Sequence, residues 1–120
     1  MNPATGIAPT PEPPYYAVIF TSKRNSSDDH GYGVIAQRMV DLGSRYAGFL
    51  GIESARGPDG VGITVSYWRD EAAILAWKRD PEHEKAQLAG QHNWYADYHV
   101  RVAKVERAYG SLRTAGKHVT

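Results

Sequence analysis

Residues Tyr15 to Thr21 read Y-Y-A-V-I-F-T, with no alternation of apolar and polar positions. Aromatic and branched residues of this kind suit a buried strand. Successive strand side chains point to opposite faces. Tyr15, Ala17 and Ile19 therefore line one face, and Tyr16, Val18 and Phe20 the other. Ile63 to Trp68 repeats the pattern, with Ile63, Val65 and Tyr67 opposite Trp68. A sheet of such strands must be covered on both faces. Helices of the same chain can cover one. The simplest cover for the other is a second copy related by a two-fold axis, so the sequence predicts a homodimer in which two sheets form one barrel.

The remaining elements follow from spacing and punctuation. Residues 1–14 hold five of the seven prolines and are expected to form an extended, disordered tail. Ser27, Asp28 and Asp29 are candidate caps for a helix from about His30 to Tyr46, whose apolar residues Ile35, Met39, Leu42 and Tyr46 share one face. Gly48 ends it. Phe49 to Arg56 and Val61 to Trp68 read as strands joined by the turn Gly57-Pro58-Asp59-Gly60. Asp70 to Trp77 reads as a helix. A second helical piece restarts at Asp80-Pro81, a tolerated place for proline, and runs to about Ala89, with Gly90 stopping or kinking it. Tyr95 to Arg107 alternates as a last strand with Tyr98, Val100 and Val102 on one side. The order β-α-β-β-α-β is the split pattern of an α+β, ferredoxin-like fold with a four-stranded antiparallel sheet. The domain spans residues 15–110, and residues 111–120 form a polar tail.

Composition excludes several function classes. Fourteen basic and 13 acidic residues leave a net charge of +1, which gives no electrostatic footprint for nucleic acid or an anionic membrane. The chain has no cysteine, so disulfides, thiolate metal sites and a cysteine nucleophile are out of reach, and a reducing, cytoplasmic setting is compatible. No apolar run approaches the roughly 20 residues that span a bilayer. The first residues carry no basic-then-apolar secretory pattern.

Several segments together carry a family likeness. The strand Y-Y-A-V-I-F-T-S, the segment G-F-L-G-I-E-S-A-R-G, the return strand G-I-T-V-S-Y-W and the helix A-I-L-A-W-K resemble the antibiotic biosynthesis monooxygenase domain family. So do Glu82-His83, Trp94-Tyr95 and the closing V-E-R-A-Y-G. The likeness covers about Tyr15 to Gly110. It implies a dimeric α+β barrel, and activities that include oxygen insertion into aromatic quinols without metal or flavin and oxidative haem breakdown. Trp68 matches the tryptophan of the quinol-oxidising branch. That branch's asparagine is replaced by Thr64 and its arginine by Gln87. Trp77 matches the tryptophan of the haem-degrading branch, whose histidine position again holds Gln87. In place of that branch's first-strand asparagine stand Ser22 or Lys23, with Asn25 later in the loop.

The candidate site centres on His83, near the start of the second helical piece. A helix N-terminus lowers an imidazole pKa, and a neutral imidazole can take a phenolic proton. Gln87, four residues on, shares its helical face and is the candidate orienting donor. Trp68 and Trp77 are candidate walls that clamp a flat aromatic ligand, with Tyr67 and Tyr98 as further lining residues. Pattern alone leaves open which of Tyr67 and Trp68 faces the interior. No metal or cofactor is expected: the spacing of His83, His92 and His99 matches no ligand signature, and the latter two are expected at the surface. Three readings stay open: a cofactor-independent monooxygenase of small aromatic molecules, a non-catalytic binder of a small hydrophobic ligand, and a structural or interaction role. Haem binding or breakdown is a further alternative.

Overall fold

The computed structural model describes residues 5–25, 27–111, 113–114 and 117–118. Its elements are β1 (Tyr15–Arg24), α1 (Asp29–Gly43), β2 (Phe49–Arg56), β3 (Val61–Trp68), α2 (Glu71–Lys78), α3 (Pro81–Ala89), a π-helical turn (Gly90–Trp94) and β4 (Tyr95–Val105). The four strands form one sheet in the order β2-β3-β1-β4, all neighbours antiparallel. This is the expected α+β, ferredoxin-like arrangement. Beyond it, β5 (Arg113–Thr114) pairs with β6 (Lys117–His118) in the stretch that sequence reads as a plain polar tail.

Caps set the helix starts. The Asp28 side chain accepts from the Gly31 N–H, and Asp70 accepts from Ala73 N–H at 2.9 Å. Asp80 accepts from the N–H groups of Glu82 and His83, with Pro81 in the first turn. Each cap satisfies donors that a helix start leaves free.

Register assigns the faces. Trp68 pairs with Tyr16, Ser66 with Val18 and Thr64 with Phe20. On the other side of β1, Val102 pairs with Val18 and Val100 with Phe20. These residues share the face that carries the helices, since Trp68 stacks on Trp77 of α2, and Trp77 lies against Gly43 at the end of α1. Tyr15, Ala17, Ile19, Val65 and Tyr67 occupy the opposite face. Trp68 is therefore the inward residue of the pair that sequence leaves unresolved, and Tyr67 points away from the helices.

The segment before β1 departs from expectation. Rather than a free tail, residues 5–14 include two buried positions, Ala8 and Thr10. The Ala8 N–H donates to Glu53 at 3.1 Å, the Ala8 methyl lies over Gly51, and the Thr10 and Tyr15 hydroxyls are 2.7 Å apart. Glu53 also accepts from the Tyr67 hydroxyl. The segment thus covers one end of the helix-free face. Its prolines keep it from joining the sheet as a strand, yet they do not prevent side-chain burial. At the other end of that face Val61 and Ile63 remain 41% and 47% exposed.

Gly48 fixes the entry to β2. Its φ of +89° is costly for any residue with a Cβ, and a Cβ built there would lie 2.6 Å from the Cβ of buried Ala73. Gly48→Ala is expected to lower unfolding stability by about 2–4 kcal/mol, combining a left-handed backbone with overpacking. Urea unfolding with an unchanged m-value checks this; a variant as stable as the parent refutes the assignment.

Candidate functional site

His83 sits in the first turn of α3 because Asp80-Pro81 forces the chain to restart its helix there. The Asp80 carboxylate is shared. One oxygen holds the backbone N–H groups of Glu82 and His83, and the other accepts from the Tyr46 hydroxyl. That tyrosine bond, ahead of the backbone bonds, holds the Asp80 carboxyl below its ordinary range. The ionised cap thereby ties the connection before α3 to Tyr46, beyond the end of α1.

The His83 ring lies flat on Trp77, with centroids 4.0 Å apart and planes 11° from parallel. Its Nδ1 is 2.9 Å from the Trp77 carbonyl oxygen. A carbonyl only accepts, so Nδ1 carries the proton in the neutral ring and Nε2 carries the free lone pair. No partner for Nε2 occurs among the described residues. Burial lowers the His83 pKa; the Trp77 carbonyl and the Asp80 and Glu84 carboxylates oppose that shift. The cause thus differs from the helix-end effect expected from sequence. The helix end is already occupied by the Asp80 carboxylate, and what disfavours the imidazolium is the burial of the ring.

Behind Trp77 the stack continues to Trp68, at 6.3 Å and 23°. Phe49 meets Trp68 edge-on and Tyr46 meets Trp77 edge-on. The Trp68 N–H donates to the Ser66 hydroxyl at 2.9 Å. A centroid distance of 6.3 Å is that of two rings in mutual contact. Trp68 and Trp77 therefore do not form the clamp that sequence suggests. Trp68, 1% exposed, is core. Trp77 is half-buried beneath His83.

The other predicted residues are dispersed. Gln87 is exposed on α3 and has no side-chain hydrogen bond among the described residues. Tyr67 lies on the far face, meeting Tyr15 edge-on, and burial together with its bond to Glu53 raises its phenol pKa far above the ordinary value. Tyr98 does stand on the helix-side face, 40% exposed, against Phe20 and Tyr95. His92 and His99 are exposed. A shallow concavity of about 620 Å³ runs along α1, lined by residues that include Val34, Gln37 and Arg38; none of the predicted site residues lines it.

Sequence reading missed a second cluster, at the opposite end of the helix-side face. Arg24 is buried and lies 4.1 Å from the centre of the Tyr32 ring, paired with Asp29 at 2.6 Å. Arg56 reaches the Ser22 hydroxyl at 2.8 Å and the Tyr32 hydroxyl at 3.2 Å. Tyr95 donates to Tyr32 at 3.3 Å. Strand register and the placing of α1 on the sheet bring these residues together, and the lone sequence signal is the arginine that ends β1 and the one that ends β2.

The family model for antibiotic biosynthesis monooxygenase matches residues 16–89. The uncharacterized protein YqjZ of Bacillus subtilis (strain 168) is 54% identical over 101 residues, which cover 84% of this chain and 88% of that protein. The jasmonate monooxygenase of Pyricularia oryzae is 32% identical over 93 residues, covering 75% of this chain but 43% of that longer protein. SnoaB, a cofactor-independent oxygenase from Streptomyces nogalater, superposes with a TM-score of 0.69 at 11% identity, over 80% of this chain and 97% of that one, a likeness of fold.

The lowered His83 pKa has a consequence for stability. The unfolded imidazole titrates near about 6.5, above the folded one. As pH falls through that value the unfolded state takes up its proton first, so stability is lost until the folded pKa is also passed; above it the contribution is constant. The thermal midpoint is expected to fall more steeply below about pH 6.5 in the parent protein than in His83→Gln. Parallel curves refute a depressed folded pKa.

Proposed function

The chain belongs to the antibiotic biosynthesis monooxygenase family, and we propose that it oxygenates a small aromatic, quinol-type molecule without a resident cofactor, with Nε2 of His83 as the base. One observation carries this reading. The imidazole is kept neutral by burial and locked by the Trp77 carbonyl in the tautomer that leaves Nε2 free to accept a proton.

The chemistry closes with dioxygen as co-reactant. Nε2 takes the phenolic proton of an anthrol-type substrate, and the anion passes one electron to O2. The resulting radical pair joins in a C–O bond, giving a peroxide. Loss of the ring hydrogen on that carbon and cleavage of the O–O bond, with the imidazolium returning its proton to the departing oxygen, leave a carbonyl and water. The balance is anthrone plus O2 to anthraquinone plus water. Trp77 is the wall that fixes the His83 plane, and Gln87, one helical turn on, is within the same face to orient the substrate. Trp68 serves as the support behind Trp77.

The replacement of the family's asparagine by Thr64 and of its arginine or histidine by Gln87 favours a second reading, a binding barrel for a small hydrophobic ligand without turnover. Oxygen uptake separates the two. With a panel of anthrols and quinols, the parent protein is expected to consume O2 above background, holding its rate below about pH 6.5. His83→Ala is expected to lose roughly a hundredfold or more, the usual contribution of a general base. No uptake by the parent protein refutes the enzyme reading, and equal rates in His83→Ala remove the histidine.

The protein is further proposed to act as a homodimer, and in the cytoplasm, in keeping with its lack of cysteine. Val61 and Ile63, exposed on the helix-free face beside Ile19 and Val65, form an apolar area that a second sheet would bury. Sedimentation at micromolar concentration is expected to give a dimer, with Ile63→Lys shifted to monomer; a monomeric parent protein refutes the pairing.

A further inference from the structure

We propose that the cluster around Tyr32 and Arg56 is a carboxylate-binding subsite whose ligand is a small hydrophobic acid lying along β4.

The first argument is an excess of donors. Tyr32 accepts two hydrogen bonds, from Arg56 and from Tyr95. A phenol oxygen has two lone pairs, so its own O–H is left to donate outward, and it has no acceptor among the described residues. Burial raises the Tyr95 phenol pKa far above its ordinary value, so Tyr95 stays a donor. Trp94, whose ring stands edge-on to Tyr32, is buried, and its indole N–H likewise lacks an acceptor among the described residues. A buried indole N–H left orphaned in this way is rare in native proteins and calls for a partner.

The second argument is charge. Two guanidinium groups flank the Tyr32 ring, at 4.1 and 5.8 Å from its centre. Asp29 neutralises Arg24. Arg56 bonds only neutral oxygens, those of Ser22, Gly60 and Tyr32, and has no carboxylate partner among the described residues. The cluster keeps one uncompensated positive charge beside unused donors, and a planar carboxylate matches both.

The third argument is the way Arg56 is positioned. Ser22, Gly62 and Arg56 form one row across β1, β3 and β2. A Cβ at Gly62 would lie 2.6 Å from the Arg56 Cζ. The absent side chain is the passage by which the guanidinium crosses β3 to reach Ser22 and Tyr32.

The apolar half of the ligand is defined by what adjoins the cluster. Phe20 packs against Tyr95 at 5.3 Å and Tyr98 at 5.9 Å. From Tyr98 the helix-side face of β4 continues through Val100 and Val102, 42% and 51% exposed. A donor-rich cationic end joined to an open aromatic and aliphatic strip fits an amphipathic acid. Gly62 is six residues from Trp68, about 20 Å along β3. The subsite is thus separate from the His83 stack, and binding there is measurable whatever His83 does.

Calorimetric titration with 2-naphthoate and its neutral isostere 2-naphthamide tests the assignment. Naphthoate is expected to bind about tenfold more tightly than the amide, the yield of one charge-assisted hydrogen bond. Arg56→Gln is expected to abolish that ratio and Tyr32→Phe and Gly62→Ala to reduce it, each weakening the acid more than the amide. Equal affinity of acid and amide for the parent protein overturns the proposal. So does the absence of heat from either ligand up to millimolar concentration. A variant that weakens acid and amide alike shows a purely structural role and overturns it too. Failure here leaves oxygen uptake through His83 untouched, and loss of uptake leaves the naphthoate ratio untouched.

Discussion

Trp68 is the joint on which the arrangement of sheet and helices depends. It is the last residue of β3, in register with Tyr16 on one side and Phe49 on the other, so its ring rises from the middle of the sheet. It is 1% exposed, and Trp77 of α2 stacks on it. Trp77 in turn carries Tyr46, at the far end of the α1 connection, and His83 of α3. One indole thereby sets the height of the helical layer above the sheet. Replacing a buried residue of this size with alanine typically costs about 3–5 kcal/mol, comparable with much of a small domain's stability. The Ser66 hydroxyl accepts the indole N–H, so this burial strands no donor.

The stack also explains why His83 is chemically distinct from the other histidines near it in sequence. His92 and His99 stand exposed on the chain leading into β4 and on β4 itself. His83 is instead held at two points: its backbone N–H by the Asp80 carboxylate, its ring Nδ1 by the Trp77 carbonyl. An Asp-Pro helix restart three residues after a tryptophan produces that geometry, since the restart turns the first turn of α3 back over the end of α2.

Much of this was legible in the sequence because it is local. Periodicity located the four strands and three helices, and Asp28, one of three candidate caps before α1, is the residue that caps it. His83 could be singled out from the Asp80-Pro81 restart alone. What was not legible depends on pairing. Tyr67 and Trp68 are equally apolar neighbours, and only the position of α2 decides which is core. The five prolines before β1 speak of extended backbone, but the burial of Ala8 follows from Glu53 and Gly51, some 45 residues away in sequence. Arg24, Tyr32, Arg56 and Tyr95 belong to four different elements, and no spacing rule joins them.

The helix-side residues of β3 show how one strand supports both ends of the face. In order they are Gly62, Thr64, Ser66 and Trp68, which is to say none, small, small and the largest side chain available. At the Trp68 end the space between sheet and helices is filled, and the half-buried rings of Trp77 and His83 top the stack. At the Gly62 end there is nothing for the helices to rest on, so the volume is taken by an arginine crossing from β2 and by tyrosines from α1 and the start of β4. Arginine and tyrosine fill space with apolar stems and rings while ending in groups that demand partners. A small-residue floor thus makes the far end of the cleft polar by necessity, and the direction of that imbalance, donors without acceptors, decides the sign of the charge that can settle there.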